Sequence, residues 1–83
     1  MAINKNIKIV SEDGTNRFKI MGIVYFGGLH FTARGNFEDD SVWYHNSQTG
    51  SSWTYEKKIN EFNVGELEKC QGQQASLVIY TQD

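Results

Sequence analysis

The sequence predicts an all-β fold: a small, mainly antiparallel curved sheet or partly closed barrel of five to six strands with at most one short helical turn. Short runs of β-branched and aromatic residues alternate with turn pairs such as Asp13-Gly14 and Gly27-Gly28. No segment carries the apolar spacing of a long helix. Because 83 residues suffice for one small core, residues 1–83 are predicted to form a single domain.

Residues 18–34 predict the central hairpin of this sheet, with Gly27 and Gly28 as its two loop residues. Side chains alternate between the faces of a strand, so the sequence also predicts which face is the core. The predicted core face holds Ile20, Val24, Phe26, Leu29, Phe31 and Ala33, and the opposite face holds Met21, Ile23, Tyr25, His30, Thr32 and Arg34. We expect any chemistry to lie on the opposite face.

An N-terminal hairpin precedes the central one. Residues 6–12 form its first predicted strand, and Asp13-Gly14 is its predicted loop. This register adds Ile7, Ile9 and Phe18 to the same core face, so two separate turn signals agree. Gly22 lies inside the long second strand, where a glycine indicates a bulge or a close crossing by another segment.

The rest of the chain predicts further strands. Gly35–Ser41 is polar and acidic and predicts a loop, whereas Val42–His45 and Ser52–Glu56 predict strands. Residues 64–70 allow one helical turn. Ala75–Tyr80 is almost continuously apolar, which is typical of a strand covered on both faces.

Composition restricts the class of partner. A net charge of -2 and a pI near 5.6 give no general attraction to nucleic acid or to an anionic membrane, so neither is expected as a partner. Cys70 is the single cysteine, which predicts a reducing compartment. No apolar run approaches the roughly 20 residues of a membrane span. The sequence therefore predicts a soluble protein that is cytoplasmic or otherwise intracellular.

Three segments together resemble the C-terminal sheet lobe of the ubiquitin-specific proteases, which are papain-like cysteine peptidases. Gly27–Thr32 matches the family's histidine box, Trp43–Asn46 the box of the residue that orients this histidine, and Ala75–Tyr80 the closing strand. The resemblance implies a sheet lobe in which His30 is the general base and Asn46 holds its ring. The family's nucleophilic cysteine lies in an N-terminal lobe without a counterpart here, and Cys70 follows the histidine instead of preceding it.

The leading hypothesis is therefore a non-catalytic β module that binds a protein or associates with itself as a homodimer. One alternative is half of a split cysteine hydrolase that uses His30 and Asn46 and receives its cysteine from a partner chain. In the simpler interpretation, His30 pairs across strands with Tyr25 and Asn46 is a turn residue. No metal or other cofactor is predicted, because His30, His45 and Cys70 lack the spacing of known metal sites.

Aromatic residues supply the candidate binding surface. Exposed rings on a sheet can stack on a sugar or contact a protein partner, and the candidates are Tyr25, Trp43, Tyr44 and Trp53. Carbohydrate binding through Trp43 and Trp53 is thus a further alternative. Packing in the core is the competing role for at least two of the four rings of Trp43, Tyr44, Trp53 and Tyr55.

Overall fold

The computed structural model describes residues 3–36, 39–47 and 52–82, and the all-β prediction is confirmed. The strands are β1 (Asn6–Ser11), β2 (Gly14–Gly27), β3 (His30–Asn36), β4 (Ser41–Asn46), β5 (Thr54–Lys58), β6 (Lys69–Cys70) and β7 (Gln73–Gln82). A 3₁₀ turn over Ile59–Glu61 and a five-residue helix, α1 (Val64–Glu68), connect β5 to β6. In the described part of the chain, no helix has the length and apolar character needed to cross a membrane.

All paired strands are antiparallel and form one sheet in the order β5-β4-β3-β2-β7-β6. The 14-residue strand β2 is its axis, because one edge of β2 pairs first with β1 and then with β3, while the other edge pairs with β7. The sequence predicts five to six strands, and the structure adds the two-residue strand β6.

The β1–β2 hairpin extends beyond the sheet as a two-stranded arm. Pairing with β7 reaches back only to Phe18, so residues 8–17 have no third strand beside them. The long axis of the molecule accordingly measures 45 Å, against 25 and 21 Å for the others. Ile9 and Val10 are exposed on this arm.

Both predicted loops are displaced by one residue. The loop residues are Glu12-Asp13 and Gly28-Leu29, because Ser11 pairs with Gly14 and Gly27 pairs with His30. Gly28 and Leu29 have φ values of 63° and 69°, and positive φ at both loop residues is the requirement of a type I′ turn. Moving a loop by one residue shifts the cross-strand pairing by two residues. Because side chains alternate between the faces with a period of two, each residue stays on its predicted side of the hairpin.

The predicted core face is wrong beyond Ile20, and a β-bulge is the reason. Ile20 pairs with Tyr80 and Gly22 with Ile79, so Met21 is an extra residue in β2. A bulge shifts the alternation of side chains by one position. The inner face therefore continues from Ile20 to Ile23, Tyr25, Thr32 and Arg34, and the outer face receives Val24, Phe26, Phe31 and Ala33. Two other residues assigned to the core are exposed: Leu29 in the turn and Ile9 on the arm.

The core lies between the inner face and the segment that contains α1. Its buried apolar residues are Ile3, Ile20, Ile23, Tyr25, Val42, Phe62, Leu67, Cys70 and Ala75. α1 begins with a capping box, in which Asn63 accepts from the Glu66 amide at 2.8 Å and Glu66 accepts from the Asn63 amide at 3.1 Å. This cap fixes the start of a helix that is too short to persist alone, and it positions Leu67 over the sheet.

Candidate functional site

The outer face of the sheet, on the side opposite α1, carries exposed apolar side chains on adjacent strands. Phe26, Phe31 and Leu77 are 45%, 54% and 53% exposed on three adjacent strands, and we call them the aromatic patch. The rings of Phe26 and Phe31, which pair across strands, have centroids 4.7 Å apart. Soluble proteins seldom leave such a contiguous apolar surface exposed without a use for it.

A pocket of about 570 Å³ lies beside this patch on the outer face, and we call it the glycine pocket. Gly22 and Gly35 are direct cross-strand partners, so no side chain fills the space between their neighbours. The pocket walls come from Met21, Val24, Ala33, Trp53 and Ile79. A Cβ atom at Gly22 would have ordinary contact, 3.5 Å from the Arg34 carbonyl oxygen. The glycine therefore creates the pocket rather than relieving a clash.

Three cations continue the outer face from the glycine pocket along the arm, and we call them the cationic stripe. Lys19 lines the pocket, and Arg17 and Lys8 follow on the same side of the arm. Lys8 and Arg17 are direct cross-strand partners, an arrangement that is destabilising for like charges. None of the ion pairs between described residues involves the stripe. Beyond the stripe, the arm ends in the acidic loop Glu12-Asp13.

Arg34 fastens the inner face to the α1 segment. Its guanidinium donates to Glu56 at 2.8 Å and to the backbone carbonyl oxygens of Glu66 and Lys69 at 2.7 and 3.3 Å. It also lies 4.9 Å from the Phe62 ring centroid. Burial opposes its charge, but hydrogen bonds to Glu56 and Tyr25 outweigh burial and raise the pKa of Arg34. Arg34 therefore joins three segments that are distant in sequence.

Tyr25, predicted as a binding residue, is fully buried because the bulge turns it inward. Its hydroxyl donates to the Leu67 carbonyl oxygen at 2.6 Å and accepts from Arg34 at 3.1 Å. Burial raises the pKa of Tyr25 to about 12. Its surroundings make Tyr25 a core residue, and it has no surface to offer a ligand.

His30 lies at the start of β3 beside Gln73. His30 Nε2 is 3.3 Å from Gln73 Nε2, and His30 Nδ1 is 3.4 Å from the Gly28 carbonyl oxygen. Gln73 is buried; it also donates to the Gly27 carbonyl oxygen at 2.6 Å and accepts from Thr32 Oγ1 at 2.6 Å. This network ties the β2–β3 turn to β7. The sequence does not predict this role of Gln73, because an amide side chain in a polar turn carries no signal of burial.

Asn46, the predicted orienting residue, lies opposite Thr32 on β4 and is therefore a diagonal neighbour of His30. Cys70 pairs with Gln73 on the other side of this network. The thiol is buried, and burial raises its pKa. A neutral, buried thiol is a poor nucleophile. The structure thus brings His30 and Asn46 to neighbouring strands without giving them a reactive cysteine.

The other predicted aromatic residues divide between the two faces. Tyr44 packs against the core from the inner face. Trp43 is on the outer side, donates to Ser41 Oγ at 2.9 Å and meets Tyr55 edge-on at 5.5 Å. Trp53 lies 5.1 Å from His45 and forms a wall of the glycine pocket. Trp53 is thus the one of these three rings that borders the pocket.

Across the described ranges, no three side chains of His, Cys, Asp or Glu come together as a metal site would require. Comparisons of the chain with protein-family models, with curated proteins and with solved structures found no match. Function is therefore inferred from the patch, the pocket and the stripe on the outer face.

Proposed function

We propose that the chain is a non-catalytic protein-interaction module that binds a second copy of itself through the outer face of the sheet. The observation that carries this proposal is the uncovered aromatic patch on the central strands. The inner face already has its cover in α1 and the residues around it. The outer face has the same kind of apolar side chains with no covering layer among the described residues.

The size of the surface supports this partner. The large outer-face side chains that are about half exposed leave on the order of 500 Å² of apolar surface, if each exposes roughly 200 Å² when free. They are Met21, Phe26, Phe31, Trp53, Tyr55 and Leu77, of which Met21 and Trp53 also line the glycine pocket. A stable interface buries about 800 Å² per partner, of which somewhat more than half is apolar. The outer face is thus large enough to form the apolar centre of a dimer interface.

A second copy also fits the shape of the surface. Two sheets can pack face to face at about 10 Å with their strands inclined by roughly 30°. A two-fold arrangement lets the same patch serve both partners, so one surface suffices. The aromatic patch of each copy would then contact that of the other.

Light scattering over a concentration series tests the proposal. We expect the wild-type chain to be dimeric and the double variant Phe31→Glu/Leu77→Glu to be monomeric. Val64→Glu is the matched control, because Val64 is similarly exposed but lies on α1, away from the outer face. A wild-type chain that stays monomeric at high concentration, or a double variant that dimerises like the wild type, would refute self-association through this face.

A second candidate, half of a split cysteine hydrolase, is favoured by the diagonal placement of His30 and Asn46 on neighbouring strands. It requires Asn46 to orient the imidazole. NMR of the His30 ring in wild type and Asn46→Ala tests this, with Asn16→Ala on the arm as control. We expect a change in the tautomer of His30 in Asn46→Ala alone, and unchanged ring signals would exclude an orienting role.

Carbohydrate binding through Trp43 and Trp53 stays a prediction. Its support is Trp53, which is partly exposed beside the glycine pocket. Sugar stacking would change tryptophan emission in a glycan panel, and unchanged emission throughout would argue against it.

A further inference from the structure

We propose that the glycine pocket and the cationic stripe together bind a short extended peptide in which one large apolar side chain is followed by acidic residues. The apolar side chain occupies the pocket, and the carboxylates lie along the arm. This binding site goes beyond self-association and does not depend on it, since the aromatic patch is outside the pocket lining. Met21 and Trp53 belong to both surfaces, so the peptide and a second copy of the chain would compete for them.

The pocket suits a single apolar anchor. Its volume of about 570 Å³ lies within the range of roughly 300–1,000 Å³ that is typical of ligand sites. Its walls are largely apolar, with the backbone of two paired glycines between them. Anchors of peptide ligands are commonly large apolar or aromatic side chains that fill such a pocket. Trp53 and Met21 would contact the anchor from its sides.

The charge pattern of the arm specifies acidic residues after the anchor. Lys19 borders the pocket, and Arg17 lies two residues away on the same side of β2, about 7 Å farther along the arm. Side chains on one side of an extended peptide repeat at the same spacing. An anchor followed by acidic residues at the second and fourth positions would therefore face the pocket, Lys19, and the Lys8–Arg17 pair in turn.

The Lys8–Arg17 pair gives the strongest reason for an anionic partner. Like charges placed directly across two strands repel each other, and no ion pair between described residues neutralises them. A carboxylate between the two would turn this repulsion into two attractive contacts. Thr15 lies beside the pair on the same side of the arm and offers a further hydrogen-bonding group.

The extent of the stripe favours a peptide over other anions. The three cations extend farther along the arm than the single headgroup of a simple amphiphile would reach. A long polyanion such as nucleic acid would meet the acidic loop Glu12-Asp13 at the end of the arm, and the whole chain carries a net charge of -2. A short acidic segment matches both the length and the limits of the stripe.

Fluorescence anisotropy with a labelled peptide of sequence Gly-Phe-Ser-Glu-Ser-Glu-Gly tests the proposal. We expect saturable binding that weakens at least tenfold when Phe is replaced by Ser or when both Glu are replaced by Gln. Higher salt should also weaken it, since the charges are exposed. An unlabelled oligothymidylate should compete less well than the unlabelled peptide.

Three variants locate the binding site. Gly22→Leu should fill the pocket without backbone strain and reduce affinity at least tenfold, and Gly22→Ala serves if the larger side chain impairs folding. Arg17→Glu should do the same through charge. Lys69→Glu is the matched control, because it makes an equal charge change at an exposed lysine on β6, two strands from β2 and outside both the pocket lining and the stripe.

Several results would overturn the proposal: no saturable binding, affinity unchanged by Gly22→Leu and Gly22→Ala, equal losses for Arg17→Glu and Lys69→Glu, or stronger competition by the oligonucleotide. Repeating the titration with Phe31→Glu/Leu77→Glu separates the two proposals. Retained peptide binding by the monomeric double variant supports both proposals, whereas a double variant that is monomeric and does not bind the peptide refutes the peptide site alone.

Discussion

Tyr25 and Phe26 are neighbours in sequence, yet one is fully buried on the inner face and the other is about half exposed on the outer face. Both faces of β2 are apolar, so hydrophobicity alone does not distinguish them. The inner face differs because Arg34 and the Tyr25 hydroxyl bind the backbone of the α1 segment and hold a cover in place. A closed apolar surface thus depends on a few polar contacts at its margin.

The largest test of this contrast is removal of Arg34. Arg34→Ala should lower the free energy of unfolding by about 3–5 kcal/mol, because it removes the hydrogen bonds to Glu56 and to two carbonyl oxygens, and a hydrogen bond to a charged group contributes roughly 1.5–3 kcal/mol. Lys57→Ala is the control, since the exposed pair Lys57–Glu66 should contribute about 0–1 kcal/mol. Urea denaturation measures both, and similar losses in the two variants would show that Arg34 does not hold the cover.

Two leucines compare the faces directly. Leu67 is 1% exposed under the cover and Leu77 is 53% exposed on the outer face. Leu67→Ala should cost about 2–5 kcal/mol through lost burial and a cavity, whereas Leu77→Ala should cost less than about 1 kcal/mol. Denaturation below the concentration of self-association measures both values. Comparable losses would mean that the outer face is covered within one chain.

The titration of Tyr25 sharpens the contrast at high pH. Its pKa is raised by burial from an ordinary value of 10.0 to about 12, so between these values the folded chain keeps a proton that the unfolded chain loses. Stability should fall as pH rises through this interval, by up to about 3 kcal/mol. Tyr25→Phe should lack this part of the decrease. Parallel pH profiles for wild type and variant would contradict it.

The smallest expected effect concerns Leu29, which is 94% exposed and has a φ of 69°. A left-handed conformation costs a non-glycine residue roughly 1–2 kcal/mol. Glycine avoids this cost, but it loses more conformational entropy on folding than leucine does, which cancels part of the gain in stability. Leu29→Gly should therefore raise stability by about 0.5–1 kcal/mol. Gly28→Leu should lower it, since Gly28 has a φ of 63°. Thermal unfolding of both variants checks the opposite signs.

Local sequence predicted the strands and the two hairpins because their signals, alternating side chains and turn pairs, lie within a few residues. It did not predict which face of β2 is buried beyond Ile20. That depends on the bulge at Met21, which arises in the pairing with β7, some 60 residues away. Gly22 correctly indicated a bulge. However, the partner strand decides which residue is the extra one, and therefore which face of β2 is buried beyond it.

The candidate site was predictable to a similar degree. Sequence analysis placed Trp53 among the binding residues, and its position at the glycine pocket is compatible with that role. The pocket itself escaped prediction, since Gly22 and Gly35 become partners only through the register of β2 and β3. The cationic stripe was visible merely as an excess of basic residues in the first 34 residues. Alternation along the arm turns that excess into one charged face.

The pairing of β2 with β7 also determines the order of events during synthesis. β2 ends at Gly27, but its second edge gains a partner only after Gln73–Gln82 has been made. Until then a nascent chain carries an open strand edge next to exposed apolar side chains, a combination that promotes intermolecular strand pairing. Such distant pairing also slows folding. The nascent chain is therefore expected to expose this edge of β2 until β7 has been made.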